Sequence, residues 1–72
     1  MTKEAAEQKK ITYSNLINKV LISKTCKIKV LVTDIEVGSF DPGNYYVCVR
    51  MSSEIGPLMG SISYVLEEYR AA

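Results

Sequence analysis

Residues 39–48, Ser39-Phe40-Asp41-Pro42-Gly43-Asn44-Tyr45-Tyr46-Val47-Cys48, decide how the chain is read. Asp-Pro-Gly-Asn is turn chemistry: proline presets φ for an early turn position, and glycine enters backbone conformations that side chains forbid. Three aromatic residues, Phe40, Tyr45 and Tyr46, surround this reversal, although a solvated turn needs none. Tyr45 can close one end of a core while Phe40 and Tyr46 stack across a hairpin. The same rings also offer large contact area at low conformational cost, a property enriched where proteins bind proteins. The two roles are compatible.

On the N-terminal side, residues 26–37 are rich in β-branched residues and alternate for most of their length, which predicts a strand. The alternation has a fault: Cys26, Ile28, Val30 and Val32 share one parity, and Ile35 and Val37 the other. A β-bulge near Thr33-Asp34 restores them to a single face. Residues 45–51 supply the second strand. With a five-residue loop, Val37 lies opposite Val49, Ile35 opposite Met51, Glu36 opposite Arg50 and Phe40 opposite Tyr46. In that register Cys48 faces Gly38, far from Cys26, so the two thiols do not pair.

Working outward, Tyr13, Leu16, Ile17, Val20 and Leu21 recur at helical spacing and predict a helix over residues 12–22. Thr2 can cap an earlier helix, and residues 1–10 are expected as a flexible or helical arm. Ile11 and Ile22 fall on the opposite side of this helix, where they are candidate contacts. After Ser52-Ser53, Gly56-Pro57 resembles a helix start, because proline is tolerated in a first turn. Leu58, Ile62, Val65, Leu66 and Tyr69 then form a stripe reaching about Arg70. Gly60 inside it implies a close backbone approach.

The expected architecture is α+β, a single domain over residues 1–72 in the order helix, strand, strand, helix. A two-stranded sheet is marginal in water. Backbone at residues 27–31 lacks a partner in this scheme, so pairing across a two-fold axis into a homodimer is expected. At 72 residues and 8.0 kDa, the chain also buries only about 60% of its unfolded surface, a thin margin for a monomer.

Composition narrows the chemistry. There is no histidine, and the two cysteines are too few for a disulfide scaffold or a Cys/His zinc site. Histidine is the commonest general base and partner of nucleophiles. No glycine-rich phosphate loop is present, since Gly56-Pro57-Leu58-Met59-Gly60 lacks the lysine and hydroxyl ending. Asp34 and Glu36, and the neighbours Glu67 and Glu68, read as solvated acids. The chain is therefore expected to be neither an enzyme nor a carrier of a metal or cofactor. Residues 1–10 are polar where a signal peptide needs an apolar centre, and no apolar run reaches membrane length, so a cytoplasmic protein with no membrane partner is expected.

The net charge of +1 conceals a division: residues 1–29 hold seven lysines against Glu4 and Glu7, and residues 30–72 hold two arginines against six acids. The first part carries +5 and the second −4. Lys9, Lys10, Lys19, Lys24, Lys27 and Lys29 are accordingly candidate nucleic-acid contacts. Against that, the pI is about 7.7 and no helix-turn-helix, zinc-finger or RNP-like pattern occurs. The leading expectation is a small protein-binding module, an inhibitor, adaptor or regulator of a larger protein, of the kind a virus or mobile element encodes. Phe40, Asp41, Tyr45, Tyr46, Ile11 and Ile22 are its candidate contacts, and nucleic-acid binding is the alternative.

Overall fold

A computed structural model describes residues 1–72. Helix α1 (Lys3–Tyr13) leads through a single 3-10 turn (Ser14–Leu16) into β1 (Val20–Ser23), β2 (Lys29–Asp41), β3 (Asn44–Ser53) and β4 (Gly56–Ser61); α2 (Ile62–Glu68) and β5 (Tyr69–Ala71) follow. The five strands form one antiparallel sheet in the order β4-β3-β2-β1-β5. The α+β class stands, but with five strands where two were expected.

The hairpin β2–β3 is the spine. The predicted bulge is present: the register shifts between Val32 and Asp34. Two local bonds stabilise it, Thr33 Oγ1 donating to the Arg50 carbonyl at 3.1 Å and the Ile35 amide donating to Asp34 Oδ1 at 2.8 Å. Val30, Val32 and Ile35 consequently all face inward, with Val47, Val49 and Met51 of β3. The register itself differs from the expected one by two residues. Ile35 lies opposite Val49, Val37 opposite Val47 and Glu36 opposite Cys48. A tight Pro42-Gly43 loop, with Gly43 at φ +97°, replaces the five-residue loop, and a second irregularity between Ser39 and Asp41 leaves Phe40 out of the ladder. Because side chains alternate with period two, a slip of two preserves every face. The expected Glu36–Arg50 and Phe40–Tyr46 contacts therefore survive as diagonals.

The N-terminal helix is where sequence periodicity misled. The helix occupies Lys3–Tyr13, with the Ala5 amide donating to the Thr2 hydroxyl at 3.1 Å, and residues 20–23 are a strand. Asn18 adopts φ +71° and stops helical winding. Just beyond it, the Asn18 amide donates to the Val32 carbonyl (2.8 Å) and the Val32 amide to the Lys19 carbonyl (3.0 Å). The apolar spacing was real, since Tyr13, Leu16, Ile17 and Leu21 all meet the core. It is shared among a helix end, a turn and a strand. Strand β1 pairs Val20, Leu21 and Ile22 with Leu31, Val30 and Lys29, so most of the backbone expected to seek a second copy is already satisfied within the chain.

Residues 56–61 are a strand rather than the start of a helix. Ser53 and Gly56 close a two-residue turn, Ser53 Oγ donates to the Gly56 carbonyl at 2.8 Å, and Gly56 takes φ +113°. Pro57 then sits on an edge strand, where its missing N–H is harmless. Helix α2 begins only at Ile62, where the Tyr64 amide donates to Ser61 Oγ at 3.2 Å. The close backbone approach expected at Gly60 is not found; Gly60 lies on β4 beneath a side chain, where a Cβ would fall 3.1 Å from the Tyr64 ring.

Strands β4 and β5 run the same way at opposite edges, and α2 joins them across the inner face. Seven residues of helix span about 10 Å, whereas five flat strands put their edges about 19 Å apart. The sheet must therefore curl around its inner face, and the β2 irregularities supply the extra twist. Ala6 of α1 and Ile62 and Val65 of α2 fill the concavity against the inward valines. Lys24 fastens the far end of α2, its amide donating to the Glu68 carbonyl (2.9 Å) and its Nζ to the Glu67 carbonyl (2.8 Å).

Candidate functional site: the open face of the sheet

Both helices contribute to the single core on the concave side, so the convex face carries no helix. Alternation from inward Val32 and Ile35 places Leu31, Asp34, Glu36 and Gly38 of β2 on this open face. The pairing adds Val20 and Ile22 from β1, Tyr46, Cys48 and Arg50 from β3, and Met59 from β4. Val20, Leu31 and Met59 are exposed there. Between them, Arg50 Nε meets Glu36 Oε2 at 2.8 Å. Lys29 and Arg70 flank Ile22, so three cations face two anions and the surface is close to electrically balanced.

The aromatic tip lies at one end of this face. Gly38 is opposite Tyr46, and a Cβ at Gly38 would fall 2.5 Å from the Tyr46 ring, which shows that Tyr46 covers the glycine. Phe40 stacks on the outer side of Tyr46, ring centroids 4.6 Å apart at 35°, and remains 80% exposed. Tyr46 is thus a structural platform and Phe40 the projecting group. Tyr45 points the other way and packs against the core. Its backbone exchanges bonds with Met1: the Tyr45 amide donates to the Met1 carbonyl (2.9 Å) and the Met1 ammonium to the Tyr45 carbonyl (3.2 Å). Asp41 is occupied in closing the turn, accepting from Asn44 Nδ2 at 2.7 Å.

Of the protein-contact candidates, Phe40, Tyr46 and Ile22 share the open face, with Phe40 and Ile22 towards its opposite ends. Tyr45 and Asp41 are structural. Ile11 is exposed on α1, apart from that face. Val20, Leu31, Cys48 and Met59, which also lie on this face, are not among the contact candidates read from the sequence. Leu31 carries a signal, as the one apolar residue on the Lys27, Lys29 parity ahead of the bulge; Val20 and Met59 become visible only once residues 20–23 and 56–61 are strands.

The lysines do not converge. Lys9 and Lys10 lie on α1, Lys19 precedes β1, and Lys24 is spent on the end of α2. Lys27 and Lys29 line a notch of ≈ 390 Å³ with Ile28, Glu54 and Ile55, where the glutamate offsets part of their charge.

The thiols are free and sit in contrasting surroundings. Cys26 is exposed next to the Ser23 hydroxyl (3.2 Å), which holds its thiol below the ordinary range with help from the backbone at Ile28. Cys48 is buried in the open face, and burial, followed by the Glu36 carboxylate, pushes its thiol up. No cluster of three metal-ligating side chains occurs, and no helix is long and apolar enough to cross a membrane.

No family model, curated protein or solved structure matches this chain. What the site can do is therefore read from its own geometry: a twisted platform bearing scattered apolar groups, one charge pair and a raised aromatic ring.

Proposed function

We propose that this chain is a non-catalytic protein-binding module that inhibits, tethers or regulates a larger protein through the open face of its sheet. The observation that carries this reading is the placement of Phe40 on Tyr46 at the end of a face that also exposes Val20, Leu31 and Met59. Stacked on a ring already fixed over Gly38, Phe40 loses little freedom on binding, and rigid aromatic anchors of this kind dominate interface energies. The near-balanced charge of the face suits a protein partner better than a polyanion, which would need convergent cations.

A surface comparison tests this. Wild-type protein, Phe40→Ala, Leu31→Asp and the α1 variant Ile11→Asp are immobilised and exposed to a native lysate, and retained proteins are quantified. A partner held by wild type and Ile11→Asp but lost from Phe40→Ala and Leu31→Asp supports the reading. Equal retention by all four, or loss only from Ile11→Asp, refutes it. Retention of nucleic acid that weakens steeply with salt would favour the lysine-mediated alternative.

A further inference from the structure

We infer that β4 pairs with its own copy, joining two chains through one continuous ten-stranded sheet. This does not rest on the proposed docking role of the open face. The sheet has two free edges, and they differ. At one, β5 has three residues and carries Arg70, which are common protections of an exposed edge. At the other, β4 runs for six residues, and no charged side chain occurs from Ile55 to Ser63.

The directions of the free backbone groups follow from the ladder. Val32 bonds with Asn18 and Lys19, away from β3. Its opposite, Met51, therefore turns its groups to Leu58 of β4. Alternation then sends the Met59 and Ser61 amides and the Pro57 and Met59 carbonyls outward, while the Ser61 carbonyl, at the N-cap of α2, is taken by the first turn of that helix. A two-fold axis at Met59 matches these groups to themselves. Each Met59 amide donates to the partner's Met59 carbonyl, and each Ser61 amide to the partner's Pro57 carbonyl. The other bond of that pair would need the N–H that Pro57 lacks, but its acceptor, the Ser61 carbonyl, is already committed to α2. An axis at Pro57 would set two prolines face to face, and one at Ser61 would run the pairing into α2.

Side chains agree with the backbone. Met59 is 62% exposed on the convex side of this edge, and Tyr64, lying over Gly60, is 53% exposed on the concave side. Pairing at Met59 covers apolar groups on both sides and places no like charges across the axis. A standard interface buries about 800 Å² per partner, roughly a sixth of this chain's 4766 Å² surface. A six-residue edge lies towards the weak end of that scale, so the dimer is expected to dissociate on dilution.

Sedimentation equilibrium of the full chain over a wide concentration range is the test. Mass should rise from 8.0 kDa and level at twice that value. Met59→Pro removes only an amide that the β3 ladder does not use, and it should leave the circular dichroism unchanged while weakening association at least about tenfold. Met59→Lys, the second variant, should do the same. Should both variants misfold, amide exchange of the wild type decides: Met59 and Ser61 should slow with concentration while Ala71, on the β5 edge, does not. A constant 8.0 kDa mass, growth beyond two chains, dimers persisting in a folded variant, or concentration-independent exchange at Met59 would each overturn the inference.

Discussion

Replacing Ile35 with alanine tests the two-sided character of the sheet. Ile35 is fully buried beside the bulge, opposite the equally buried Val49. Its truncation removes three carbons, a transfer loss of about 2.4 kcal/mol at about 0.8 per methylene. The cavity raises the total to about 3–4 kcal/mol, within the range for buried aliphatic truncations. A 72-residue domain holds about 4–11 kcal/mol in all, so the variant should sit close to unfolding. Leu31→Ala deletes the same number of carbons from a side chain 40% exposed on the open face, leaves no cavity, and should cost about 1 kcal/mol or less. Urea denaturation of both variants, at a concentration where wild type is monomeric, reads the difference. At about 1 kcal/mol per molar urea for so small a domain, the Ile35→Ala midpoint should fall by about 3 M, and that of Leu31→Ala by under about 1 M. Equal losses would mean that both faces are packed, and the open face would then not exist as described.

Gly38→Val should push Tyr46 off its seat and unstack Phe40; a loss of about 1–3 kcal/mol and a collapse of the near-ultraviolet aromatic signal are expected, and an unchanged spectrum would contradict the contact. Lys24→Met should destabilise by about 0.5–1 kcal/mol, through loss of the cation at the C-terminal end of α2, and the loss should shrink in high salt. With a thiol reagent, Cys26 should react quickly, its rate rising with pH through a midpoint below that of free cysteine, while Cys48 reacts only as the protein opens. Both Cys48 and Tyr69 have pKa values raised chiefly by burial. Their neutral forms are favoured in the fold, so this contribution is complete below the unfolded-state thiol value of about 8.5 and is lost as pH climbs through the folded values. Denaturation midpoints should therefore fall on the alkaline side, and Cys48→Ser should soften the fall.

The hairpin was legible in the sequence because its determinants are local. The parity fault after Val32 required a bulge, and Asp41-Pro42-Gly43-Asn44 required a turn. The faces followed from alternation, which is why a register difference of two changed the directly opposed residues but left every side chain on its expected face. Residues 13–21 were not legible: helical and folded-back arrangements bury the same apolar set, and the choice depends on Asn18 entering the left-handed region beside the free edge of β2. Residues 56–61 failed for a related reason. Gly-Pro opens helices and edge strands alike, and only the ladder with β3 distinguishes them. Phe40 and Tyr46 are visible as a pair, whereas the open face is not, since the apolar spacing of two of its strands, residues 20–23 and 56–61, reads as helical.

The central claim is that the convex face, led by Phe40, is a protein-docking surface. Its most direct test is the affinity of a partner isolated by the wild-type chain, measured against Phe40→Ala by titration calorimetry, with urea denaturation run beside it. Phe40→Ala should weaken binding by tenfold or more, about 1.4 kcal/mol, while the unfolding midpoint stays where it was. Unchanged affinity in a fully folded variant would contradict the claim.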